Sequence, residues 1–289
     1  MKMKSRILSN ELKIMRSLNN RMNLTEKDKK YYLNLEKGYE GEIAFDQLTK
    51  KLQCDVYILN DLCLEYHNSV CQLDTLLILP KTIIIFELKN YAGDYHYEDE
   101  EFRMLKSNIE ITNPVNQLKR SKTLLRSLLK ENGIYFPVEG YVTFVNPEFT
   151  LYQAPIDASI ILPTQLNRFI NRINNTPSKL NHQHKQIYDL LMEMHLPESP
   201  YNRLPSYQFD QLEKGILCVS CYSIQTIIKL RGIFCEKCGY VETIDHGIMR
   251  SVAEFNLLFP DMKITTNHIH NWCNIVNSKK RLEEFYSKT

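Results

Sequence analysis

Apolar positions are densest over residues 70–79 and 82–89, two β-branched and aliphatic runs interrupted only by Pro80-Lys81. Such runs read as buried strands. If the break is a hairpin turn, Leu79 faces Thr82, which sets Asp74 opposite Glu87 and Gln72 opposite Lys89. Strand side chains alternate between faces, so these four share one. Directly opposed Cβ atoms lie about 4.5–5.5 Å apart. Two carboxylates that close in an apolar sheet lose hydration and repel, so they need a proton or a cation. A divalent metal supplies the charge, and the neighbouring lysine suggests chemistry on a phosphate. Two features leave other readings open. A slip of one residue turns Asp74 to the opposite face, and Pro80-Lys81 is not a Gly or Asn hairpin turn. Glu87 and Lys89 then reduce to a strand-end ion pair.

The pattern elsewhere places elements around this pair. Residues 38–53 read as a helix with a stripe of Ala44, Phe45, Leu48 and Leu52, which Glu42 borders. A strand follows at 56–65. Residues 91–112 read as a polar loop with an acidic patch at 98–101. Asn113-Pro114 is an N-cap followed by proline at the first helical position. Leu118, Leu125, Leu128 and Leu129 give that helix its buried side, and Gly133 ends it. Strands at 141–145 and 159–162 and a helix at 164–173 complete an α/β or α+β core, with a sheet between helices. The expected division is a helical lead-in (1–37), this core (38–175), a connector with one helix and a three-proline stretch at 197–205 (176–215), a cysteine-rich module (216–246) and a helical segment (247–289).

Composition narrows the class. At 289 residues the chain can bury a sizeable core, and a net charge of +2 gives no global field to announce nucleic acid, so any basic surface is local. No apolar run reaches membrane-spanning length, and no secretory signal is visible. Of eight cysteines, four fall in Cys218-x-x-Cys221 and Cys235-x-x-Cys238, thirteen residues apart. Two such knuckles converge naturally on one tetrahedral, structural Zn²⁺ as Cys₄, which reads as a zinc ribbon. With no disulfide framework, the expected compartment is the cytoplasm.

Helices at 248–259 and 266–277 follow the ribbon. The second has an apolar stripe of Ile269, Trp272, Cys273 and Val276, and an outer face of Asn267, His270, Asn271 and Asn274. Lys279, Lys280 and Arg281 come next. This is similar to a helix-turn-helix, with asparagines for base edges and a basic run for phosphate. The plainer alternative is a helical cap with a solvated face.

Four motifs in order, Gly38-x-x-Gly41-Glu42, Gln72-x-Asp74, Glu87-x-Lys89-Asn90 and Asn113-Pro114-x-x-Gln117, together resemble the nuclease-related domain (NERD) family of the PD-(D/E)xK nuclease superfamily. The resemblance covers roughly residues 38–146 and departs from many relatives in having Phe102 but no tryptophan in the 91–112 loop. It implies a restriction-endonuclease-like helix–strands–helix core. By that resemblance Asp74, Glu87 and the Leu88 carbonyl hold Mg²⁺ or Mn²⁺, and Lys89 orients or deprotonates the attacking water. Glu42 then binds the same ion through water or holds a second one, Gln117 positions a ligand or phosphate, and Gln72 braces Lys89. The expected function is metal-dependent hydrolysis of phosphodiesters, of DNA first, by a domain joined to a zinc-ribbon and helical targeting module. A catalytically silent DNA-binding or regulatory protein, and an adaptor whose ribbon docks a partner protein, are the alternatives.

Overall fold

The hairpin at Pro80-Lys81 forms, with the Leu79 amide donating to the Thr82 carbonyl at 3.0 Å. A computed structural model describes residues 2–98, 101–156, 159–229 and 232–274 of the chain. It divides into two units, one of Met1–Ile7 with Glu36–Pro200 and one of Leu8–Leu35 with Tyr201–Thr289. The chain begins with β1 (Lys2–Lys4), α1 (Asn10–Arg21), α2 (Glu26–Thr49), β2 (Tyr57–Tyr66), β3 (Ser69–Ile78) and β4 (Ile83–Lys89). After these come β5 (Gly93–Glu98), β6 (Glu101–Met104), β7 (Ile109–Ile111), α3 (Pro114–Glu131), β8 (Val138–Phe144), β9 (Phe149–Tyr152) and β10 (Ile160–Ile161). Helices α4 (Leu166–Asn174) and α5 (His182–Glu193) close the first unit. The second continues with β11 (Thr226–Lys229), β12 (Gly232–Cys235), β13 (Val241–Thr243), α6 (Ile244–Leu258) and α7 (Thr266–Cys273).

In the first unit a mixed sheet runs β1-β2-β3-β4-β8-β10. Its centre is the antiparallel β2–β3–β4 meander, with β8 parallel to β4. Thr75 pairs with Phe86 and Ile78 with Ile83, the register that the hairpin requires. Both faces are covered, which is why the strands read as continuous apolar runs. Phe45 of α2 and Phe169 of α4 pack on Phe86, with ring centroids at 4.9 and 5.9 Å. On the other face α3 and α5 cover Leu76, Ile83 and Ile85 through Leu118, Leu125, Ile187 and Leu191. Asn113 caps α3 as expected, its Oδ1 accepting from Val115 N at 2.9 Å.

Several expectations change. Residues 91–112 are not a loop: β5, β6 and β7 form a second sheet, ordered β7-β6-β5-β9. Tyr95 and Phe102 are buried in it, and their alternation was masked by the charged residues between them. The 1–37 lead-in is not wholly helical, because Lys2–Lys4 pair in parallel with β2. Helix α2 starts at Glu26, so Gly38 and Glu42 lie within it rather than at its opening, and Ala44 is exposed rather than part of the buried stripe.

In the second unit β11, β12 and β13 form an antiparallel sheet. A core of Ile14, Met15, Leu18, Ile233, Phe255 and Trp272 joins α1, the sheet, α6 and α7. The buried Arg21 holds Glu254 through Nε at 3.0 Å and Nη2 at 2.8 Å, and its guanidinium lies 3.9 Å from the Trp272 ring centroid. Helix α7 ends at Cys273 because Asn274 turns left-handed (φ 47°), a conformation asparagine tolerates. Val276 lies outside the described residues.

Candidate functional site

Backbone pairing between β3 and β4 ends at Thr75–Phe86. One step further, the Asp74 carboxylate takes the place of a main-chain acceptor, its Oδ2 receiving the Leu88 N–H at 2.7 Å. A strand residue's N–H and C=O leave on the same side. The Leu88 carbonyl therefore also faces this gap. Glu87 is only 2% exposed. Lys89 Nζ donates to Glu87 Oε1 at 2.7 Å and to Gln117 Oε1 of α3 at 3.3 Å. Asp74, Glu87, Lys89 and Gln117 thus converge, from two strands and the first turn of a helix.

Helix α2 closes the centre. Gly41 is where it crosses the end of β4: an added Cβ would stand 2.5 Å from Asn90 Cβ and 3.0 Å from Val145 Cγ2. Asn90 fastens the crossing by donating to the Lys37 carbonyl at 2.7 Å and accepting from Asn146 Nδ2 at 3.1 Å. Gly38 has open space around it and carries no such demand. Gly41→Ala must push α2 away from the strand, and with it Glu42. The expected cost is about 1–3 kcal/mol, as for other overpacked sites. Urea unfolding would measure it, and an unchanged midpoint would contradict the assigned close approach.

Three residues were missed by the sequence reading. Arg6, just beyond β1, donates to Glu42 Oε2 at 2.9 Å, to Asp46 Oδ2 at 3.2 Å and to the Asp74 carbonyl at 2.7 Å. Asp46 is buried on α2, four residues after Glu42. Two acids at that spacing on one helix face repel, and that signalled a cation between them. Asp61 breaks the β2–β3 ladder, between Asn60–Thr75 and Leu62–Leu73, in a left-handed conformation (φ 53°). Interrupted pairing and positive φ at a non-glycine residue gather at functional sites. Asp61 Oδ1 accepts from Gln72 Nε2 at 2.7 Å. Gln72 is exposed and does not brace Lys89, because β3 has parted from β4 at that level; Gln117 is the amide beside the lysine.

Burial chiefly, and then Asp74, push the Glu87 carboxyl up to about 7, against the pull of Lys89. Burial and Asp74 likewise raise Glu42 to about 8, with Arg6 opposing. Burial raises Asp74 too, although Lys89 and the Leu88 N–H counter it. For Lys89 burial favours the neutral amine, but Glu87 and Asp74 outweigh it and hold the ammonium. An all-oxygen set of Asp74, Glu87 and the Leu88 carbonyl, short of positive charge, fits a hard divalent cation.

The second unit carries a different donor set. The Sγ atoms of Cys218, Cys221, Cys235 and Cys238 all lie within 4.8 Å of one another, with Cys218–Cys238 and Cys221–Cys235 both at 3.6 Å. Four sulfurs about 2.3 Å from a tetrahedral ion stand about 3.8 Å apart, so the cluster fits Zn²⁺. Gly239 follows in a left-handed turn (φ 76°). Arg250 of α6 donates to the Leu217 carbonyl, beside the first cysteine, and to Glu242 Oε1, each at 2.5 Å. On α7, Asn267 and Asn271 are exposed and His270 is half-buried, and Asn274, the residue that ends the helix, is exposed. Lys279, Lys280 and Arg281 lie outside the described residues.

This arrangement, a split hairpin with acids, lysine and a helix-borne glutamate, defines a nuclease-like α/β domain. The comparison with protein families agrees: residues 37–145 match the nuclease-related domain (NERD). No curated protein and no solved structure matches the chain. No described helix is long and apolar enough to cross a membrane.

Proposed function

We propose that this chain is a Mg²⁺- or Mn²⁺-dependent nuclease that hydrolyses phosphodiester bonds in DNA. The observation carrying this is the meeting of Asp74 and Glu87 at the parted strands, with Lys89 Nζ 2.7 Å from Glu87. Asp74, Glu87 and the Leu88 carbonyl would hold the ion, which supplies positive charge for phosphate oxygens and acidity for water. Lys89, kept as an ammonium, donates to a non-bridging oxygen as phosphorane charge develops. Gln117 fixes the lysine's position, and Glu42 orients water at the α2 side. Water oxygen bonds to phosphorus and releases a proton to solvent, the bond to the leaving oxygen breaks, and that oxygen takes up a proton from solvent. Cleavage of plasmid, linear and single-stranded DNA with Mg²⁺ or Mn²⁺ tests the reading. Salt-sensitive DNA binding without scission under either metal would instead mark a silent binding protein.

The second unit would serve targeting. Zn²⁺ on the four cysteines fixes the ribbon, and the exposed Asn267, Asn271 and Asn274 would meet DNA, with Lys279, Lys280 and Arg281 nearby in sequence.

A pH dependence follows from the carboxyls. Their protons are held more tightly in the folded chain than in the unfolded one. Stability without a divalent ion therefore falls as pH rises from the ordinary carboxyl range through about 7–8. A bound cation offsets the exposed repulsion. Mn²⁺ should raise Tm more at about pH 8 than at about pH 6, readable by differential scanning calorimetry on zinc-loaded protein. Equal shifts at both pH values would contradict this.

A further inference from the structure

The Arg6 side chain is 2% exposed, so its donors must be met inside the protein. They are met by Glu42, by both oxygens of Asp46, by the Asp74 carbonyl and by Thr75 Oγ1. The planar fork matches the Asp46 carboxylate, a geometry that lysine cannot copy. Position is fixed upstream: Lys2 and Lys4 pair with Tyr57 and Leu59, and Lys4 Nζ donates to the Asn60 and Asp61 carbonyls at 2.8 and 2.9 Å. Six residues of chain thus add an edge strand and deliver one cation to the acidic centre.

Charge then limits what else can enter. Within the centre Glu42, Asp46, Asp74 and Glu87 face Arg6 and Lys89. With all four ionised, as a bound cation requires, four carboxylates against two cations leave a deficit equal to one divalent ion. Asp61, at the rim, has Lys4 beside it.

We propose that Arg6 is a positioning residue: a built-in cation on the α2 side of the centre that keeps Glu42 and Asp46 from binding a metal, so that the site takes one divalent ion on Asp74 and Glu87. The inference rests on the nuclease reading of the same site. It makes the N-terminal segment part of the active centre, and it gives Glu42 a role through water rather than as a direct ligand.

The test counts Mn²⁺ bound by full-length, zinc-loaded protein, by equilibrium dialysis with electron paramagnetic resonance of the free ion. The expected counts are one for the wild type, one for Arg6→Lys, two for Arg6→Gln and none for Asp74→Asn, with circular dichroism confirming the fold of each. Two ions in the wild type overturn the proposal, as does a single ion in Arg6→Gln at wild-type affinity. If Arg6→Gln does not fold, the wild type and Arg6→Lys decide: one ion in each supports the proposal, and two in either overturns it. A wild type that binds no Mn²⁺ at all removes the nuclease reading itself, a result distinct from a wrong count.

Discussion

Glu87→Gln is expected to lower DNA cleavage by at least about 10²–10³-fold, the loss typical when one preorganised electrostatic group is removed from a reacting centre. The substitution keeps shape and packing at a site 2% exposed, so folding should survive. It removes the charge of half of the carboxylate pair, and with it the counter-ion of Lys89, whose Nζ lies 2.7 Å from Glu87. Lys89→Ala should cost a comparable factor for a different reason: it leaves Glu87 and Asp74 with less counter-charge and the developing phosphorane without its donor. The two losses should not add when combined, because both residues serve one centre. Single-turnover cleavage with circular dichroism controls measures all three. Undiminished cleavage in both single variants would move the chemistry elsewhere in the chain.

Stripping zinc should be the larger event for stability. Structural Zn²⁺ on four cysteines contributes on the order of 10–16 kcal/mol in small zinc modules, comparable to the whole stability of a typical domain. The cluster is built into its surroundings. Ile233 of β12 belongs to the unit's core, and a Cβ at Gly247 of α6 would stand 2.3 Å from the Ile233 side chain, so helix and ribbon are in close contact. Trp272, the only tryptophan in the sequence, is fully buried in the same core. Chelation, or Cys235→Ser, should therefore red-shift tryptophan emission, and re-addition of Zn²⁺ to the unsubstituted protein should restore it. A blue, unquenched emission from protein shown by elemental analysis to be zinc-free would mean that the thiols hold no structural metal.

What could be read beforehand depended on the range of the interactions. The β3–β4 hairpin was accessible because two unbroken apolar runs meet at a minimal turn, but its register was open to a one-residue slip, since both faces of both strands are apolar, and the pairing of Ile78 with Ile83 decides it. The cysteine pairs were accessible because their ligand geometry is written into the spacing. Arg6 was not: it lies 40 residues from Asp46 and 68 from Asp74, and nothing local marks it. Glu42 and Asp46 did carry a signal, as unpaired acids one turn apart, but it names a missing charge and not its source. The β5–β7 sheet escaped notice because Asp94, Glu98 and Glu101 dilute the apolar alternation of Tyr95 and Phe102. The start of α2 was misplaced because Gly38 resembles punctuation, whereas a glycine with open space around it can sit inside a helix. Assignment of residues 8–35 to the second unit depends on packing of Ile14, Met15 and Leu18 that no local pattern specifies.

The six-stranded sheet is bounded by β1, three residues long, and by β10, only two. Brief borders themselves offer few free amides and carbonyls on which another polypeptide could grow, β1 carries two lysines, and past β1 the edge of β2 is met at Cys63 by His195 Nδ1 and the Leu196 N–H. Self-association by strand addition, the usual hazard of an apolar sheet, is thereby discouraged.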